Sequence, residues 1–525
     1  MNIQVANEQL SISGQVTKEE LVKLSEQGVE VLICNRPDDE ESGQPNFESI
    51  KAAAAELGIE AHHIPFEPGK FTEADAAEFA AILADNKKTH AYCRTGGRVG
   101  GIVQAIAQKE QATTEPTSGD ESFDVVIVGA GSAGIATAAS LHKRNASVSI
   151  ALIDPSEDHY YQPGWTMVGG GVFGAETTHK KTQDLIPSFA KWIKDSVASF
   201  SPASNSVTLA SGKVVSYSQL VVAPGLKLNW AGIEGLEETL GKNGVTSNYR
   251  YDLAPYTWEL VQNLKKGKAL FTQPPMPIKC AGAPQKALYL SSSEWLSNGS
   301  LKDIDVSFYN AGGVLFGVAD YVPALMEYME KYSVDLQFNN TLFKVDGAAK
   351  TAYFKTKNDA GEEVVVESKF DMLHVCPPQC APDFIRESEL SDAAGWLDVH
   401  PDSLQHKQFP NIWGAGDVMN TTNAKTMAAA RKQAPVVAQN IVNAIASSSE
   451  KVAYDGYGSC PLTVEKGKIV LAEFTYGGKV NPTFPDWFND GLRPTKLAWT
   501  LKASILPTLY WNAMLKGHEW FAKPK

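Results

Sequence analysis

Asp124-Val125-Val126-Ile127-Val128-Gly129-Ala130-Gly131-Ser132-Ala133-Gly134 is the stretch of sequence that decides the fold. Its apolar first half predicts a buried strand, its glycines predict a turn, and the Ala-rich segment 135–143 predicts a helix directly after the turn. A strand, a glycine turn and a helix in this order are typical of a dinucleotide-binding unit in a parallel α/β sheet.

Four residues of this turn have separate physical roles. Gly129 makes the tight turn, Gly131 allows close approach of the backbone to a pyrophosphate, and Gly134 allows the helix to pack on the strand. Ser132 begins the helix, and a helix N-terminus attracts phosphate because its N–H groups are unpaired. We therefore expect these four residues to form a dinucleotide site.

The next predicted strand supplies a candidate ribose ligand. Segment 146–154 ends on Asp154, about 20 residues after the last glycine, where a carboxylate accepts a hydrogen bond from a ribose hydroxyl.

A second glycine fingerprint is typical of chains that also bind NAD(P)H. The strand that we match to it, 304–309, runs into segment 310–317, whose glycine spacing differs. A nicotinamide reductant is therefore not expected.

Two later segments favour FAD over NAD. Segments 220–225 and 412–418 resemble the two later signatures of the two-dinucleotide-binding flavoprotein superfamily. The resemblance implies that Gly225 and Asp417 contact FAD, Asp417 at the ribityl and pyrophosphate region.

Two cysteine segments point to a family. They are 277–286, which contains Cys280, and 454–462, which contains Cys460. Together with segments 159–166 and 509–512, they make residues 123–525 similar to the sulfide:quinone oxidoreductases, especially the mitochondrial-type branch.

The resemblance implies a redox disulfide between Cys280 and Cys460 beside the flavin. Hydrosulfide attacks one sulfur, which becomes a persulfide, and the partner thiolate passes two electrons through FAD to a quinone. Lys279 favours the thiolate in one interpretation and is an exposed lysine in the other.

The same resemblance implies further cofactor contacts from Gln162, Pro163 and Lys425. Lys425 precedes a predicted helix at 426–446, whose positive N-terminus we expect to face the pyrimidine edge of the flavin. A solvent-exposed lysine is the alternative.

Cys376 and Cys380 depart from the pattern of that branch. With His374 they make an incomplete zinc set, so no metal is expected. A relay thiol near the flavin and plain packing both remain open.

Cys93 and Arg98 mark a second candidate site. Cys93 ends a predicted strand at 89–93 and precedes a predicted helix at 100–108, so backbone N–H groups are expected to lower its pKa. Arg98 can clamp an anion with two hydrogen bonds. The domain resembles small phosphatase-like proteins of the cysteine-phosphatase fold, but its Cys-x4-Arg loop is shorter than the phosphatase loop and is similar to that of rhodanese sulfurtransferases.

That resemblance implies transfer of a persulfide sulfur from Cys93 to a small acceptor such as glutathione or sulfite. Phosphatase activity and an inactive domain are the alternatives.

The C-terminal residues predict membrane contact. Residues 492–525 contain six basic residues and one acidic residue, interspersed with large apolar side chains and interrupted by Pro507. This composition is typical of an interfacial amphipathic segment. A helical hairpin packed on its own domain is the alternative.

Length and charge bound the remaining possibilities. We predict a tandem Rossmann-type FAD/NAD(P)-binding α/β flavoprotein preceded by a small α/β cysteine-phosphatase-like domain. The predicted domains are 1–110, a linker at 111–122, the oxidoreductase at 123–490, and the amphipathic segment at 491–525. A net charge of −13 argues against a nucleic-acid partner. The N-terminus lacks a signal-peptide pattern, so a peripheral position on the cytoplasmic side of a membrane is expected.

Two other functions remain open from sequence. A flavin-linked disulfide reductase or NADH:quinone dehydrogenase would use the same cofactor, and a redox or persulfide sensor would show little turnover. An oligomer is compatible with every one of these functions.

Overall fold

A computed structural model describes residues 4–5, 9–41, 43–67, 70–85, 87–103, 106 and 121–524. The chain divides into two compact units, Met1–Gly119 and Asp120–Lys525. Most of the predicted linker, 111–120, lies outside the described residues. Its last two residues belong to a strand, because Glu121 and Ser122 continue the pairing with the neighbouring strand.

The first unit contains a five-stranded sheet that is parallel except for its first pair. Its spatial order is Gln4–Val5, Leu10–Ser13, Thr89–Tyr92, Val31–Cys34 and Glu60–His63. Its helices are Lys18–Glu26, Phe47–Glu56, Glu73–Leu83 and 97–103. Successive residues of one strand, such as Leu32 and Ile33, belong to two separate apolar clusters. This is expected for a parallel sheet that is covered on both faces.

The second unit begins with the sheet that contains the glycine turn. Its spatial order is Ala190–Ile193, Ile150–Ile153, Glu121–Val128, Val214–Val222, Ser206–Leu209 and Val197–Ser201, with Ile412–Gly414 also beside Val214–Val222. The helices Ser132–Arg144 and Met427–Ile445 pack together against it. We call this part the flavin lobe.

A second parallel sheet follows in the chain. Its spatial order is Val245–Thr246, Met372–His374, Gly267–Gln273, Ile304–Asn310 and Asp335–Phe338. Its helices are Ala254–Asn263, Ala283–Ser297 and Val322–Lys331. Two α/β sheets in tandem, the first mixed and the second parallel, confirm the predicted fold class.

The strand order of this sheet shows that we matched the second glycine fingerprint to the wrong strand. The strand Gly267–Gln273 leads through loop 274–282 into helix Ala283–Ser297, and the next strand, Ile304–Asn310, pairs beside it. The fingerprint of a dinucleotide site would therefore follow Gly267–Gln273, not Ile304–Asn310. Loop 274–282 occupies that position with three prolines, Cys280 and one glycine.

Shorter elements complete the second unit. A three-stranded sheet contains Thr341–Asp346, Thr351–Lys357 and Glu363–Lys369. A hairpin, here called the Cys460 hairpin, consists of Gly458–Glu465 and Lys468–Phe474. Two small pairs are Asp158–Tyr160 with His179–Lys181 and Lys227–Leu228 with Gln379–Cys380. Short helices occupy Gln162–Gly164, Trp165–Gly169 and Asp383–Arg386.

The C-terminal segment is helical through Pro507, so the expected interruption there is wrong. Helix Lys496–Thr500 passes into a π-helical turn, Leu501–Ile505, and then into helix Leu506–Asn512. Pro507 lies in the first turn of the last helix, where a missing N–H is tolerated. Among the described residues, no helix is long and apolar enough to cross a membrane.

Candidate active site

The glycine turn is packed on one side and open on the other. Gly129 has a φ of +101°, and a Cβ added there would lie 2.4 Å from the Ala223 oxygen. A Cβ on Gly134 would lie 1.8 Å from the Gly129 oxygen, whereas a Cβ on Gly131 would have no atom of the described residues within 4 Å. The backbone at Gly131 therefore faces free space in which a pyrophosphate can approach.

Asp154 and Ser132 lie beside this turn and make contacts within the protein. The Asp154 carboxylate accepts hydrogen bonds from the N–H groups of Ala130 at 2.7 Å and Ser156 at 2.8 Å. The Ser132 hydroxyl lies 2.7 Å from the hydroxyl of Tyr510. The C-terminal segment therefore reaches the glycine turn. Ribose and phosphate contacts by Asp154 and Ser132 stay predictions.

The two later signatures meet at the same edge of the flavin sheet. Gly225 and Asp417 follow two neighbouring parallel strands, Val214–Val222 and Ile412–Gly414. Gln433 accepts the N–H of Gly416 at 2.9 Å, and its own Nε2 is buried with no acceptor in the described part of the chain. Burial raises the pKa of the Asp417 carboxyl, although nearby lysines oppose this. A polar ligand fits at this edge.

Lys425 is buried, so the alternative of a solvent-exposed lysine is wrong. Its Nζ donates to the backbone oxygens of Asp417 at 2.9 Å and Met419 at 2.6 Å, and it lies 4.2 Å from the centre of the Trp396 ring. Burial lowers its pKa to about 8. The Lys425 backbone oxygen accepts the N–H of Cys280 at 2.8 Å, which joins the cysteine loop to the flavin lobe.

Cys280 occupies a strained turn that closely approaches Cys460. Its φ is +51°, a left-handed conformation that is uncommon for a residue with a side chain. Two residues later, a Cβ on Gly282 would lie 2.2 Å from a side-chain carbon of Leu462. Only glycine therefore allows the loop to pack on the Cys460 hairpin so closely.

The two sulfurs share a hydrogen bond as free thiols. The bond to Cys460 lowers the pKa of Cys280 well below its ordinary value, and Lys286 and Lys502 lower it further against the effect of burial. The same bond and burial raise the pKa of Cys460. Cys280 is thus the more acidic thiol of the pair, and Cys460 donates the hydrogen bond to it.

Lys286, which the sequence analysis missed, is the direct partner of Cys280. Its Nζ lies 3.0 Å from the Cys280 Sγ. Burial would lower the pKa of Lys286, but the charges on Cys280 and Cys460 more than offset this and raise it. A signal existed in the sequence, because Lys286 is the only charged residue in segment 283–293.

Lys279, the candidate that adjoins Cys280 in sequence, points elsewhere. Its Nζ donates to Gln162 at 2.5 Å and lies 5.5 Å from the centre of the Trp165 ring. Gln162 is thereby joined to the cysteine loop, and Pro163 lies in the first turn of the short helix that follows. Cofactor contacts by Gln162 and Pro163 stay predictions.

Cys376 and Cys380 do not form a common site with His374. The buried Cys376 packs with Tyr249 and Ile278, beside Cys280, and burial raises its pKa to about 12. Cys380 lies on a short strand that pairs with Lys227. Nε2 of His374 accepts the backbone N–H of Asn248 at 2.9 Å. Cys376 is therefore a buried thiol near the reactive pair.

The N-terminal site places Cys93 at the carboxyl edge of its sheet. The buried Cys93 accepts the N–H of Gly96 on Sγ at 3.1 Å. Arg98 is ion-paired with Glu40, and the buried Arg36 donates to Glu40 at 2.8 Å. A carboxylate of the chain itself therefore occupies the arginine that we expected to clamp an anion.

The C-terminal segment has two faces. Lys502, Tyr510 and Trp511 are buried, and so are Met514 and Leu515, although the sequence analysis had assigned all five to the interface with a membrane. Other apolar side chains of the chain's last 40 residues are exposed: Trp487, Phe488, Leu492, Leu497, Ile505, Trp520 and Phe521. The packed hairpin and the interfacial surface are thus compatible.

Comparison with known proteins identifies both units. Residues 2–110 match the phosphatase-like domain of beta-lactamase hydrolase-like proteins. Residues 123–259 match the pyridine nucleotide-disulphide oxidoreductase family. The chain is 40% identical over 402 residues to the mitochondrial sulfide:quinone oxidoreductase of Dictyostelium discoideum, which covers 76% of this chain and 87% of that protein.

The chain belongs to the sulfide:quinone oxidoreductase family.

One further relative supports this assignment, and one solved structure shows the same fold. The mitochondrial sulfide:quinone oxidoreductase of Mus musculus is 37% identical over 75% of this chain and 87% of its own length. The X-ray structure of the sulfide:quinone oxidoreductase from Aquifex aeolicus has the same fold, with a TM-score of 0.62 at 22% identity over 76% of this chain and 92% of that chain. The predicted family and enzyme class are confirmed.

FAD is the cofactor, as predicted. The flavin lobe fits it, because the open space at Gly131 follows the end of a strand, where dinucleotides bind, and the buried Nε2 of Gln433, on helix Met427–Ile445, has no acceptor in the described part of the chain.

Replacing Lys286 tests the thiolate. In the reduced holoenzyme, we expect Lys286→Met to slow alkylation of Cys280 by iodoacetamide at pH 7 by about tenfold or more, because a charge-assisted hydrogen bond is lost and the pKa of Cys280 rises. The alkylation rates of the two proteins should converge well above pH 9, where Cys280 is ionised in both. Peptide mass spectrometry measures the alkylated fraction of Cys280 over time at a series of pH values.

Lys279→Met is the matched control. It removes the lysine next to Cys280 in sequence, which is not its partner, and should leave the alkylation profile unchanged. Equal slowing by both substitutions would contradict the assignment of Lys286.

Proposed function

We propose that this chain oxidises sulfide to a persulfide at Cys280 and Cys460 and delivers two electrons through FAD to a quinone. One observation carries the proposal: the Cys280 sulfur lies 3.0 Å from the Lys286 ammonium and shares a hydrogen bond with Cys460, on the loop that takes the place of a dinucleotide fingerprint. A reactive cysteine pair there suits a donor that reacts with sulfur instead of a nicotinamide.

The asymmetry of the pair assigns a role to each cysteine. In the oxidised pair, hydrosulfide attacks the Cys460 sulfur, a new S–S bond forms, and the Cys280–Cys460 bond breaks. The bond pair leaves with Cys280, since the thiol of lower pKa is the better leaving group. Lys286 stabilises the resulting thiolate, and Cys460 carries the sulfane sulfur. No electron has yet left the two cysteines and the substrate. Two electrons leave when the Cys280 thiolate and the Cys460 persulfide join in a new S–S bond and the persulfide proton is released, with FAD as the electron acceptor.

FAD, when bound, supplies a two-electron acceptor that can be reoxidised by a quinone. The chain's contribution is to hold the Cys280 thiolate at the flavin lobe. The hydrogen bond from the Cys280 N–H to the Lys425 oxygen fixes the loop, and the Lys425 ammonium is held by Asp417 and Met419.

Anaerobic mixing with sulfide tests the reaction. We expect sulfide alone to bleach the flavin absorbance and a quinone to restore it. Cys280→Ser and Cys460→Ser should each slow sulfide-dependent bleaching by about a thousandfold or more, since serine cannot form the disulfide. Stopped-flow absorbance measures both steps.

Cys380→Ser is the control, because Cys380 pairs with a different strand and lies outside the reactive pair. Bleaching by NADH together with indifference to sulfide would overturn the proposal in favour of a nicotinamide-linked reductase.

For the N-terminal unit we infer sulfur transfer through Cys93. The Cys-x4-Arg loop supports it, because Cys93 accepts a backbone N–H and Arg98, five residues later in the chain, is buried. The Cys93 thiolate attacks the terminal sulfur of a persulfide, so that an S–S bond to Cys93 forms while the S–S bond of the donor breaks and the donor leaves as a thiolate. An acceptor such as sulfite then attacks that terminal sulfur, forms thiosulfate and releases Cys93 as a thiolate. Glu40 must give up Arg36 and Arg98 if either arginine is to bind the acceptor.

Replacing Cys93 tests this step. With sulfide, quinone and sulfite present, we expect Cys93→Ser to leave quinone reduction intact and to lower thiosulfate formation about a hundredfold or more, because the accepting nucleophile is lost. Ion chromatography follows the thiosulfate. Cys34→Ala, which removes another buried thiol of the same sheet, is the control. Equal thiosulfate from Cys93→Ser and the unaltered protein would rule out the role.

We also infer that the exposed apolar residues of the C-terminal region dock on a membrane. Trp487 is 86% exposed and Phe521 is 78% exposed. Transfer of a large aromatic side chain from water to a lipid interface lowers the free energy. A quinone dissolved in the bilayer would then be close to the enzyme.

Vesicle binding tests the docking surface. The double substitution Trp487→Ser and Phe521→Ser should weaken binding to phosphatidylcholine vesicles that contain some phosphatidylglycerol by about tenfold or more. Sedimentation of the vesicles measures the bound fraction. Val365→Ser, at a half-exposed apolar residue of the three-stranded sheet, should change nothing. Identical sedimentation of all three proteins would refute this surface.

A further inference from the structure

Two buried lysines beside the cysteine pair have no carboxylate partner. Lys286 is 2% exposed and Lys502 is 4% exposed. Neither forms an ion pair with a carboxylate of the described residues, in contrast to surface lysines such as Lys331 and Lys407. An unpaired buried charge is costly, so such groups are usually neutralised or paired with an anion.

Lys502 reaches the cysteines from the far end of the sequence. The helix Lys496–Thr500 packs Ala498 against Ile469 and Leu471 on the outer strand of the Cys460 hairpin. The next residues form the π-helical turn Leu501–Ile505, a rare element that is frequent at functional sites. This turn buries the Lys502 side chain, whose charge acts on both sulfurs.

The charged groups that face Lys502 are Lys286, Cys280 and Cys460. Lys286 repels its ammonium, and the two sulfurs attract it when one of them is a thiolate. Burial and this repulsion lower the pKa of Lys502 to about 7. In the reduced pair, the Cys280 thiolate balances part of the positive charge. In the oxidised pair, a disulfide carries no charge, and the two ammonium groups have no counter-ion.

We propose that Lys286 and Lys502 form a paired-ammonium site that binds anionic hydrosulfide against the oxidised Cys280–Cys460 pair. The inference rests on the proposed sulfide oxidation and deepens it by assigning the groups that recognise the substrate. During attack, the negative charge moves from hydrosulfide to the Cys280 sulfur, while the proton of hydrosulfide stays on the new persulfide. The same two ammonium groups thus hold one negative charge before and after the step. Lys502 acts here as a positioning residue.

The test compares Lys502→Met with Lys502→Arg in the FAD-loaded enzyme, with a water-soluble quinone in detergent so that membrane docking plays no part. We expect Lys502→Met to raise KM for hydrosulfide about tenfold or more and to change kcat about twofold or less, because a charge-assisted contact to the substrate is lost. Lys502→Arg should restore a low KM. Lys479→Met, at an exposed lysine after the Cys460 hairpin, is the control.

The pH dependence separates an electrostatic role from a structural one. With KM expressed as hydrosulfide concentration, KM of the unaltered enzyme should rise with increasing pH as Lys502 loses its proton, because burial and the charge of Lys286 lower the pKa of Lys502. Lys502→Arg should abolish that rise, because arginine stays charged. The pH profile of Lys502→Arg tests the proposal even if Lys502→Met fails to fold.

Two results would overturn the proposal: an unchanged KM in Lys502→Met, or the same pH profile in Lys502→Arg as in the unaltered enzyme. Either result would leave bleaching of the unaltered enzyme by sulfide intact, so failure of this site is distinguishable from failure of the proposed reaction.

Discussion

The hydrogen bond from the Cys280 N–H to the Lys425 oxygen connects the two halves of the reaction centre. Cys280 belongs to a loop of the second parallel sheet, and Lys425 directly precedes a helix of the flavin lobe. The left-handed conformation of Cys280 costs about 1–3 kcal/mol and persists only if its surroundings enforce it. This bond and the packing of Gly282 on Leu462 do so. The position of the reactive sulfur follows from them.

Desolvated cations give this centre its chemical character. Lys425 offsets its burial with backbone oxygens and the Trp396 ring, and Lys286 offsets its burial with a thiolate. Lys286 thus stabilises the charge on the Cys280 sulfur, and Lys425 fixes the backbone whose oxygens it binds. A low local dielectric strengthens these contacts, so a few well-placed groups suffice to separate the pKa values of two adjacent thiols.

The sequence predicted what local pattern determines and missed what tertiary packing determines. The roles of Gly129, Gly131 and Gly134 follow from a single strand, turn and helix, and their predicted packing agrees with the structure. Lys502 comes near the cysteines only through tertiary packing, so spacing could not reveal it. Lys286 lies only six residues after Cys280 in the chain, but Lys279 is adjacent to Cys280 and was preferred for that reason. The strand at 304–310 was mistaken for the first of its sheet because apolar patterns identify strands without giving their order.

The Glu40 carboxylate that bridges Arg36 and Arg98 has a consequence for what can enter the Cys93 pocket. Because it is tethered, it competes with every incoming anion at a local concentration of roughly millimolar or above, which dilution cannot reduce. Free phosphate or sulfate at comparable concentration gains little from exchanging with it. A ligand that also forms a covalent bond to Cys93 would escape this competition, so reactivity would outweigh charge in the proposed sulfur transfer.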